Sequence, residues 1–175
     1  MALTPKGEAR RDALLAACVR LLETDGPAGV THRAVAREAG VPLAAATYYF
    51  ASIDDLLVSA LRGATADQVT LFETLSGSGI RAFAEGLYDW THNSRATAIA
   101  QYELMFLAMR RPALREDAEL WYTALEDAIA PLGLGAARSR TVALAIDGLA
   151  LRMLWRGDPA TVDATESALR GILEG

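Results

Sequence analysis

The sequence has little of what many enzymes and secreted proteins need. Its only cysteine is Cys18, so no disulfide can form within the chain. We expect Cys18 to pack on an apolar helix face, with a redox role as the alternative. His32 and His92 are the only histidines and lie too far apart for a metal-site pattern. A glycine-rich nucleotide loop and a nucleophile elbow are also missing, so we predict no catalytic residue, no metal and no cofactor.

Long apolar runs are missing as well. No apolar segment reaches the roughly 18 residues that a membrane-spanning helix needs, and Met1–Arg11 lacks the apolar core of a signal peptide. We therefore expect no membrane association and a cytoplasmic location. Hydrophobic residues nevertheless make up 52% of the chain, which permits a substantial core and disfavours disorder.

An excess of basic residues, typical of many nucleic-acid-binding proteins, is absent from the chain as a whole. The net charge is −5. The distribution is uneven, however, because residues 1–50 hold six basic and five acidic side chains, whereas residues 51–175 hold eleven and seventeen. A small basic face on the nearly neutral N-terminal part can still bind DNA, with an affinity that falls as the salt concentration rises.

Strand-like alternation of useful length is absent too, and the helical spacing of apolar residues predicts an all-α fold of about nine helices. The most informative stretch is residues 31–57. Thr31 can cap a short helix, which Gly40 ends in the left-handed conformation. A second short helix follows from about Pro42 to Phe50, and Ser52 can cap a long helix with an acidic first turn. This order of elements is typical of a helix-turn-helix.

The helical spacing of apolar residues predicts that the rest of the chain forms a helical body. The pattern predicts a head at residues 1–52 and a body at residues 53–175. A segment from about Ala136 to Arg156 has almost no polar face, and a helix that is apolar all round must be buried on all sides. We expect a second copy of the chain to supply part of that burial. The predicted dimer-interface residues are Ile146, Leu149, Met153, Leu169 and Ile172.

This layout resembles the TetR family of transcriptional regulators. The residues that match the family's head pattern are Ala13, Ala17, Gly26, Thr31, Val35, Ala36, Ala39, Gly40, Val41, Tyr49, Phe50, Ser52 and Leu56. The resemblance implies a homodimer with a three-helix DNA-binding head and a helical ligand-binding and dimerisation body. It further implies a repressor that binds a palindromic operator in double-stranded DNA and is released by a small-molecule effector.

Three positions depart from the family pattern. Pro42 stands where a serine-type cap is usual, Thr47 where a tyrosine is common, and Ile53 where a lysine is common. The last two replacements remove phosphate contacts and so favour weaker operator binding. The alternative is therefore a TetR-like helical ligand-binding or interaction protein with weak or lost DNA binding.

In a helix-turn-helix the second short helix enters the major groove, and the first lies across the DNA backbone. By this analogy the predicted DNA-binding residues are Lys6, Arg10, Arg11, Thr31, His32, Arg33, Leu43, Ala44, Ala45, Thr47, Tyr48 and Tyr49. The second short helix has no Arg, Lys, Asn or Gln, the residues that make bidentate contacts to base edges. We therefore expect DNA shape and phosphate positioning to provide much of the specificity.

Aromatic residues and methionines gather in the segment 80–128. Such residues line apolar small-molecule pockets, although ordinary core packing is the alternative for any one of them. The ligand is expected to be apolar or aromatic. The predicted ligand-binding residues are Phe83, Trp90, Tyr102, Met105, Phe106, Met109 and Trp121.

Overall fold

The computed structural model describes residues 4–174, which form nine α-helices and no β-strand. The predicted all-α fold is confirmed. Within these residues no helix is both long and apolar enough to cross a membrane. The helices are α1 (Pro5–Asp25), α2 (His32–Glu38), α3 (Leu43–Tyr49), α4 (Ile53–Leu75), α5 (Ile80–Tyr88), α6 (Arg95–Ala108), α7 (Arg115–Ile129), α8 (Ala136–Arg156) and α9 (Val162–Glu174).

The chain divides into two compact units. The first unit comprises Met1–Ala64 and Ile99–Ala118, and the second comprises Thr65–Ala98 and Glu119–Gly175. The boundaries between them fall within α4, α6 and α7. The first unit thus includes the whole N-terminal helical head together with part of α6 and the start of α7.

The head is a three-helix core with a cap at the start of two of its helices. The Thr4 hydroxyl accepts a hydrogen bond from the Gly7 amide, and the Thr31 hydroxyl accepts one from the Ala34 amide. These bonds satisfy amides that have no partner within the helix. The core lies between α1, α2 and α3 and is formed by Leu14, Ala17, Cys18, Leu21, Val35, Ala36, Ala46 and Phe50.

The exit from the head is fixed by a reciprocal cap. The Ser52 amide donates to Asp55 Oδ2 over 3.1 Å, and the Asp55 amide donates to Ser52 Oγ over 3.0 Å. Further along α4, the Arg62 guanidinium donates two hydrogen bonds to the carboxylate of Asp117 on α7, at 2.9 and 3.2 Å. Asp117 is only 2% exposed, so this bidentate pair supplies the partner that its buried charge needs.

The second unit is built around an apolar core of residues from α4, α5, α7, α8 and α9. Two local features differ from the sequence pattern. A π-helical turn at Asp89–Asn93 follows α5 directly. Helix α9 begins at Val162, three residues after Pro159, although proline is a common first helical residue. The Thr161 hydroxyl accepts a hydrogen bond from the Ala164 amide at 3.2 Å and so caps the helix there.

Candidate functional site

The turn between α2 and α3 sets the angle of the helix-turn-helix. Gly40 has φ of +66°, a conformation that side chains with a Cβ adopt only with strain. The Val41 amide donates to the Ala36 carbonyl over 3.0 Å, which closes the end of α2. The chain can therefore leave α2 and begin α3 within a few residues.

Helix α3 presents an exposed face of small, apolar and aromatic residues. Ala46, together with Phe50 just beyond the helix, is buried in the head, whereas Leu43 is 44% exposed and Tyr48 is 74% exposed. Thr47 is also exposed, but its hydroxyl lies 3.4 and 3.3 Å from the carbonyls of residues 43 and 44, to which it donates. Of the other predicted α3 contacts, Ala44 is exposed, while Ala45 and Tyr49 are half-buried. No side-chain cap begins α3, because Pro42 occupies that position.

The six predicted DNA-binding residues outside α3 divide into four that are exposed and two that contact Phe50. Lys6, Arg10, Thr31 and Arg33 are exposed. The cap bond of Thr31 leaves its hydroxyl proton available to a phosphate, because the hydroxyl only accepts in that bond.

Arg11 and His32, the other two predicted DNA-binding residues outside α3, both contact Phe50. The Arg11 guanidinium lies over the Phe50 ring at 5.6 Å from its centroid, and His32 Nε2 donates to the Phe50 carbonyl over 2.9 Å. Both side chains hold the end of α3 to the rest of the head. Their DNA contacts stay a prediction, but the structure gives each a structural role that the sequence pattern does not reveal.

An apolar cavity of about 300 Å³ opens in the second unit. It lies among the end of α4, the start of α5, the end of α7, and parts of α8 and α9. Every residue that lines it is apolar or glycine. Those that the sequence analysis did not single out as ligand-binding include Leu75, Ile80, Ala128, Ile129, Leu132 and Leu173.

Phe83 is the predicted ligand-binding residue that lines this cavity, where its ring stacks with Phe72 at 6.4 Å between centroids. The other six do not line it. Trp90 and Trp121 pair within the second unit at 5.9 Å, and Tyr102 and Phe106 pair within the first at 6.0 Å. Met105 is buried, whereas Met109 is 75% exposed in the turn after α6.

Three polar side chains, those of Tyr88, Thr91 and His92, contact one another at the π-helical turn. The Tyr88 and His92 rings stack with centroids 4.1 Å apart, and Thr91 Oγ1 lies 3.1 Å from His92 Nδ1. The Thr91 hydroxyl also donates to the Leu87 carbonyl over 2.7 Å. His92 Nε2 is buried and has no hydrogen-bond partner.

The predicted dimer-interface residues differ in how much surface they expose on the single chain. Ile146, Met153 and Leu169 are each at most 4% exposed within their own chain, so they have almost no surface to offer a second copy. Ile146 and Leu169 instead line the cavity. Leu149 and Ile172 are half-buried. Because α8 is apolar on nearly every side, its sequence alone could not indicate which side faces its own chain.

The exposed side of α8 is a different apolar face. Leu144 is 59% exposed and Trp155 is 81% exposed, and Gly148 lies between them on the same side of the helix. Residues four apart lie on one helix face, so these residues form a stripe along α8. We call Leu144, Gly148, Leu151 and Trp155 the α8 outer stripe.

Family comparisons agree with this architecture. Residues 14–60 match the model described as bacterial regulatory proteins, tetR family, and residues 76–175 match the model described as tetracyclin repressor-like, C-terminal domain. The chain belongs to the TetR family. The resemblance seen in the head residues is thereby confirmed, and the body matches a TetR model as well.

Solved structures of TetR-like proteins resemble the chain over most of its length. The multidrug binding protein EbrR in complex with imidazole is 33% identical, with a TM-score of 0.78 over 93% of this chain and 94% of EbrR. EbrR in complex with ethidium is 32% identical, with a TM-score of 0.78 over 93% of this chain and 97% of EbrR. A TetR family member from Streptomyces coelicolor A3, SCO1917, is 33% identical, with a TM-score of 0.77 over 93% of this chain and 97% of SCO1917. None of the curated proteins compared with the chain matches it.

Together these findings define the class of the molecule. The fold and the family are those of a ligand-responsive, DNA-binding transcriptional regulator of the TetR type.

Proposed function

We propose that the chain is a homodimeric TetR repressor that binds a palindromic operator through α3 and is released by a small apolar or aromatic molecule. The observation that carries this proposal is the exposed face of α3. Leu43, Ala44, Thr47 and Tyr48 are exposed on α3, whereas Ala46 on the other side of the helix is buried in the head. The Tyr48 ring packs edge-on against Tyr49 with 5.1 Å between centroids, yet Tyr48 remains 74% exposed.

In the proposed complex, α3 lies in the major groove and the exposed residues around it hold the DNA backbone. Thr31 and the exposed Arg33 are placed to reach a phosphate, and Lys6 and Arg10 lie near the start of α1. Leu43 and Ala44 can pack on thymine methyl groups. Since α3 offers no bidentate side chain, the sequence-dependent shape of DNA supplies much of the specificity.

Dimerisation places two such heads on one operator. The α8 outer stripe exposes a leucine and a tryptophan to solvent, and a second copy would remove that apolar surface from water. A two-fold dimer requires half-sites whose centres are separated by about 34–36 Å or a multiple of this distance. The palindromic operator therefore follows from the proposed dimer.

An effector would act through linkage. EbrR is a multidrug binding protein, with structures in complex with ethidium, proflavin and malachite green. We infer that this chain also takes a small molecule in its body. A ligand that prefers the body conformation with low operator affinity weakens DNA binding by its differential affinity for the two states.

The first test uses a fluorescent duplex pool of mixed sequence. Wild-type protein should bind it with an affinity that falls linearly, on logarithmic axes, as salt rises. Arg33→Ala should weaken binding to all sequences and reduce the salt slope by about one. Arg115→Ala, which removes an exposed arginine at the start of α7, is the matched control and should change neither value. Wild-type protein that fails to bind at low salt would contradict the proposal.

One set of observations favours a second candidate, a TetR-like ligand-binding protein with weak or lost DNA binding. The Thr47 hydroxyl is turned back onto its own helix, and His32 Nε2 is bound to the Phe50 carbonyl. Both arrangements reduce the number of polar groups available to DNA. The same titration separates the two candidates, because the second predicts ligand binding without DNA binding.

A further inference from the structure

We propose that the cavity in the second unit takes an uncharged apolar molecule of about two fused rings, and that this molecule is the effector. The cavity residues Leu75, Ile80, Phe83, Ile129 and Leu173 surround a volume of about 300 Å³. The assignment as an effector site rests on the proposed function. The binding itself does not, because it concerns only the second unit.

The walls of the cavity offer no polar side chain to a ligand. The nearby Leu75 carbonyl already accepts two hydrogen bonds, one from the Ser78 amide at 3.1 Å and one from the Ser78 hydroxyl at 2.6 Å. Ligand pockets usually combine apolar walls with a few polar groups that orient the ligand. A pocket without polar side chains selects mainly by shape and apolar area, so it favours a hydrocarbon-like molecule.

Three charged residues near the cavity are engaged with other side chains or line a neighbouring cleft. Arg81 on α5 binds Glu85 at 3.0 Å and Glu166 at 3.2 Å, and also Asp163. Glu73 and Asp127 line a neighbouring cleft between α4 and α7, which shares Ala128 with the cavity. A buried ion without a partner is strongly disfavoured. The cavity should therefore exclude cations such as the dyes bound by EbrR.

The volume limits the size of the ligand. A dry apolar cavity of about 150 Å³ is large enough to hold benzene. A cavity of about 300 Å³ can therefore hold two fused aromatic rings or an aliphatic molecule of similar bulk.

Glycines help to keep this space open. A Cβ added to Gly86 would lie 2.7 Å from Leu75 Cδ1, so the absence of a side chain lets Leu75 pack back against α5. Gly77 and Gly79 line the cavity in the turn before α5, and both have positive φ. On the other side, Leu132 lines the cavity and is 53% exposed, which places it at the mouth.

The binding test uses three probes that share a naphthalene ring. Naphthalene should raise the melting temperature and perturb the methyl NMR signals of Ile80 and Leu173. The anion 2-naphthoate and the cation 1-naphthylmethylammonium should bind at least about tenfold more weakly, because each would bury an unpaired charge. Equal binding of a charged probe, or no binding of naphthalene up to its solubility, would overturn the proposal.

Two lysine substitutions locate the site. Leu132→Lys places a charge at the mouth of the cavity and should weaken naphthalene binding about tenfold or more. Leu120→Lys is the matched control, because Leu120 is 52% exposed and lines the cleft between α4 and α7 instead. It should leave the affinity unchanged. Both sites are already exposed, so folding should be preserved in both variants. Equal effects of the two substitutions would overturn the assignment of the cavity.

The last arm separates this inference from the proposed function. DNA affinity is measured with and without naphthalene for the wild type and Leu132→Lys. Release of DNA by naphthalene from the wild type, but not from the variant, supports the effector site. Naphthalene binding without DNA release overturns the effector role. DNA binding by protein that does not bind naphthalene overturns the cavity proposal and leaves the regulator intact.

Discussion

At the scale of residues, two basic side chains of the head stabilise its fold, although their residue types alone suggest contacts to DNA. The Arg11 guanidinium contacts the Phe50 ring, and His32 donates a hydrogen bond to the Phe50 carbonyl.

Cys18 also has a structural role. It is fully buried, and burial raises the pKa of its thiol to about 12. A thiol that stays protonated is unreactive, which favours core packing over a redox role.

Glu103 on α6 is a half-buried carboxylate with one oxygen that the fold leaves without a partner. Its Oε2 atom is buried without a hydrogen-bond partner, and its side chain lies beside the Gly26 turn after α1. Burial raises the pKa of the Glu103 carboxyl above its usual value. The folded state therefore binds this proton more tightly than the unfolded state does, and this contribution to stability is lost as the pH rises through the raised pKa.

We predict that Glu103→Gln is more stable than the wild type at neutral pH. Glutamine has no charge to bury, so the gain in melting temperature should shrink as the pH falls below the raised pKa, where the wild-type carboxyl is protonated. Melting curves at several pH values measure this. Glu73→Gln, at an exposed position on α4, is the control and should show little change. A loss of stability at neutral pH would contradict the argument.

At the scale of elements, the short α2 and α3 depend on the turn that joins them. Gly40 has positive φ, and a Cβ added there would meet no atom within 4 Å, so a side chain would bring backbone strain without a steric clash. The left-handed conformation costs about 1–2 kcal/mol for a residue other than glycine. The angle between the two helices is thus maintained at this one position.

We predict that Gly40→Ala lowers the free energy of unfolding by about 1 kcal/mol. DNA affinity should fall as well, because α3 would lose its fixed angle. Chemical denaturation and the duplex titration measure the two effects. Gly63→Ala, in the interior of α4 and also in open space, is the control and should stabilise the protein by up to about 1 kcal/mol. A stabilising Gly40→Ala would contradict the role of this turn.

Local chemistry explains which elements could be predicted from the sequence. The caps at Thr31 and Ser52 and the turn at Gly40 act within a few residues, and the structure has all three. The π-helical turn at Asp89–Asn93 has no such local pattern. The cap at Thr161 could not be singled out, because Pro159 offers an equally plausible helix start.

The whole molecule exposes the α8 outer stripe, which the proposed dimer would cover. The face of α8 could not be predicted, because burial against the same chain and burial against a second copy select the same residue types. The cavity could not be predicted for a related reason. Its lining comes from the ends of several helices and from turns, and only tertiary packing brings these residues together.

We predict that Gly148→Gln converts the proposed dimer to monomers without loss of folding. A Cβ at Gly148 meets no atom within 4 Å in the single chain, so glutamine fits there and favours the helix. Between two closely packed copies of α8, the same side chain would hold the helices apart. Light scattering and circular dichroism measure mass and folding. Gly63→Gln is the control and should remain dimeric, whereas a dimeric Gly148→Gln would contradict the assignment of this face.

The central claim is that the exposed face of α3, presented twice by a dimer, recognises a specific DNA sequence. Selection of bound duplexes from a random pool at low salt tests it most directly. We predict enrichment of an inverted repeat by the wild type, and loss of that enrichment in Tyr48→Ala, whose side chain is too exposed to be needed for folding. Folded, dimeric wild-type protein that enriches no sequence would contradict the claim.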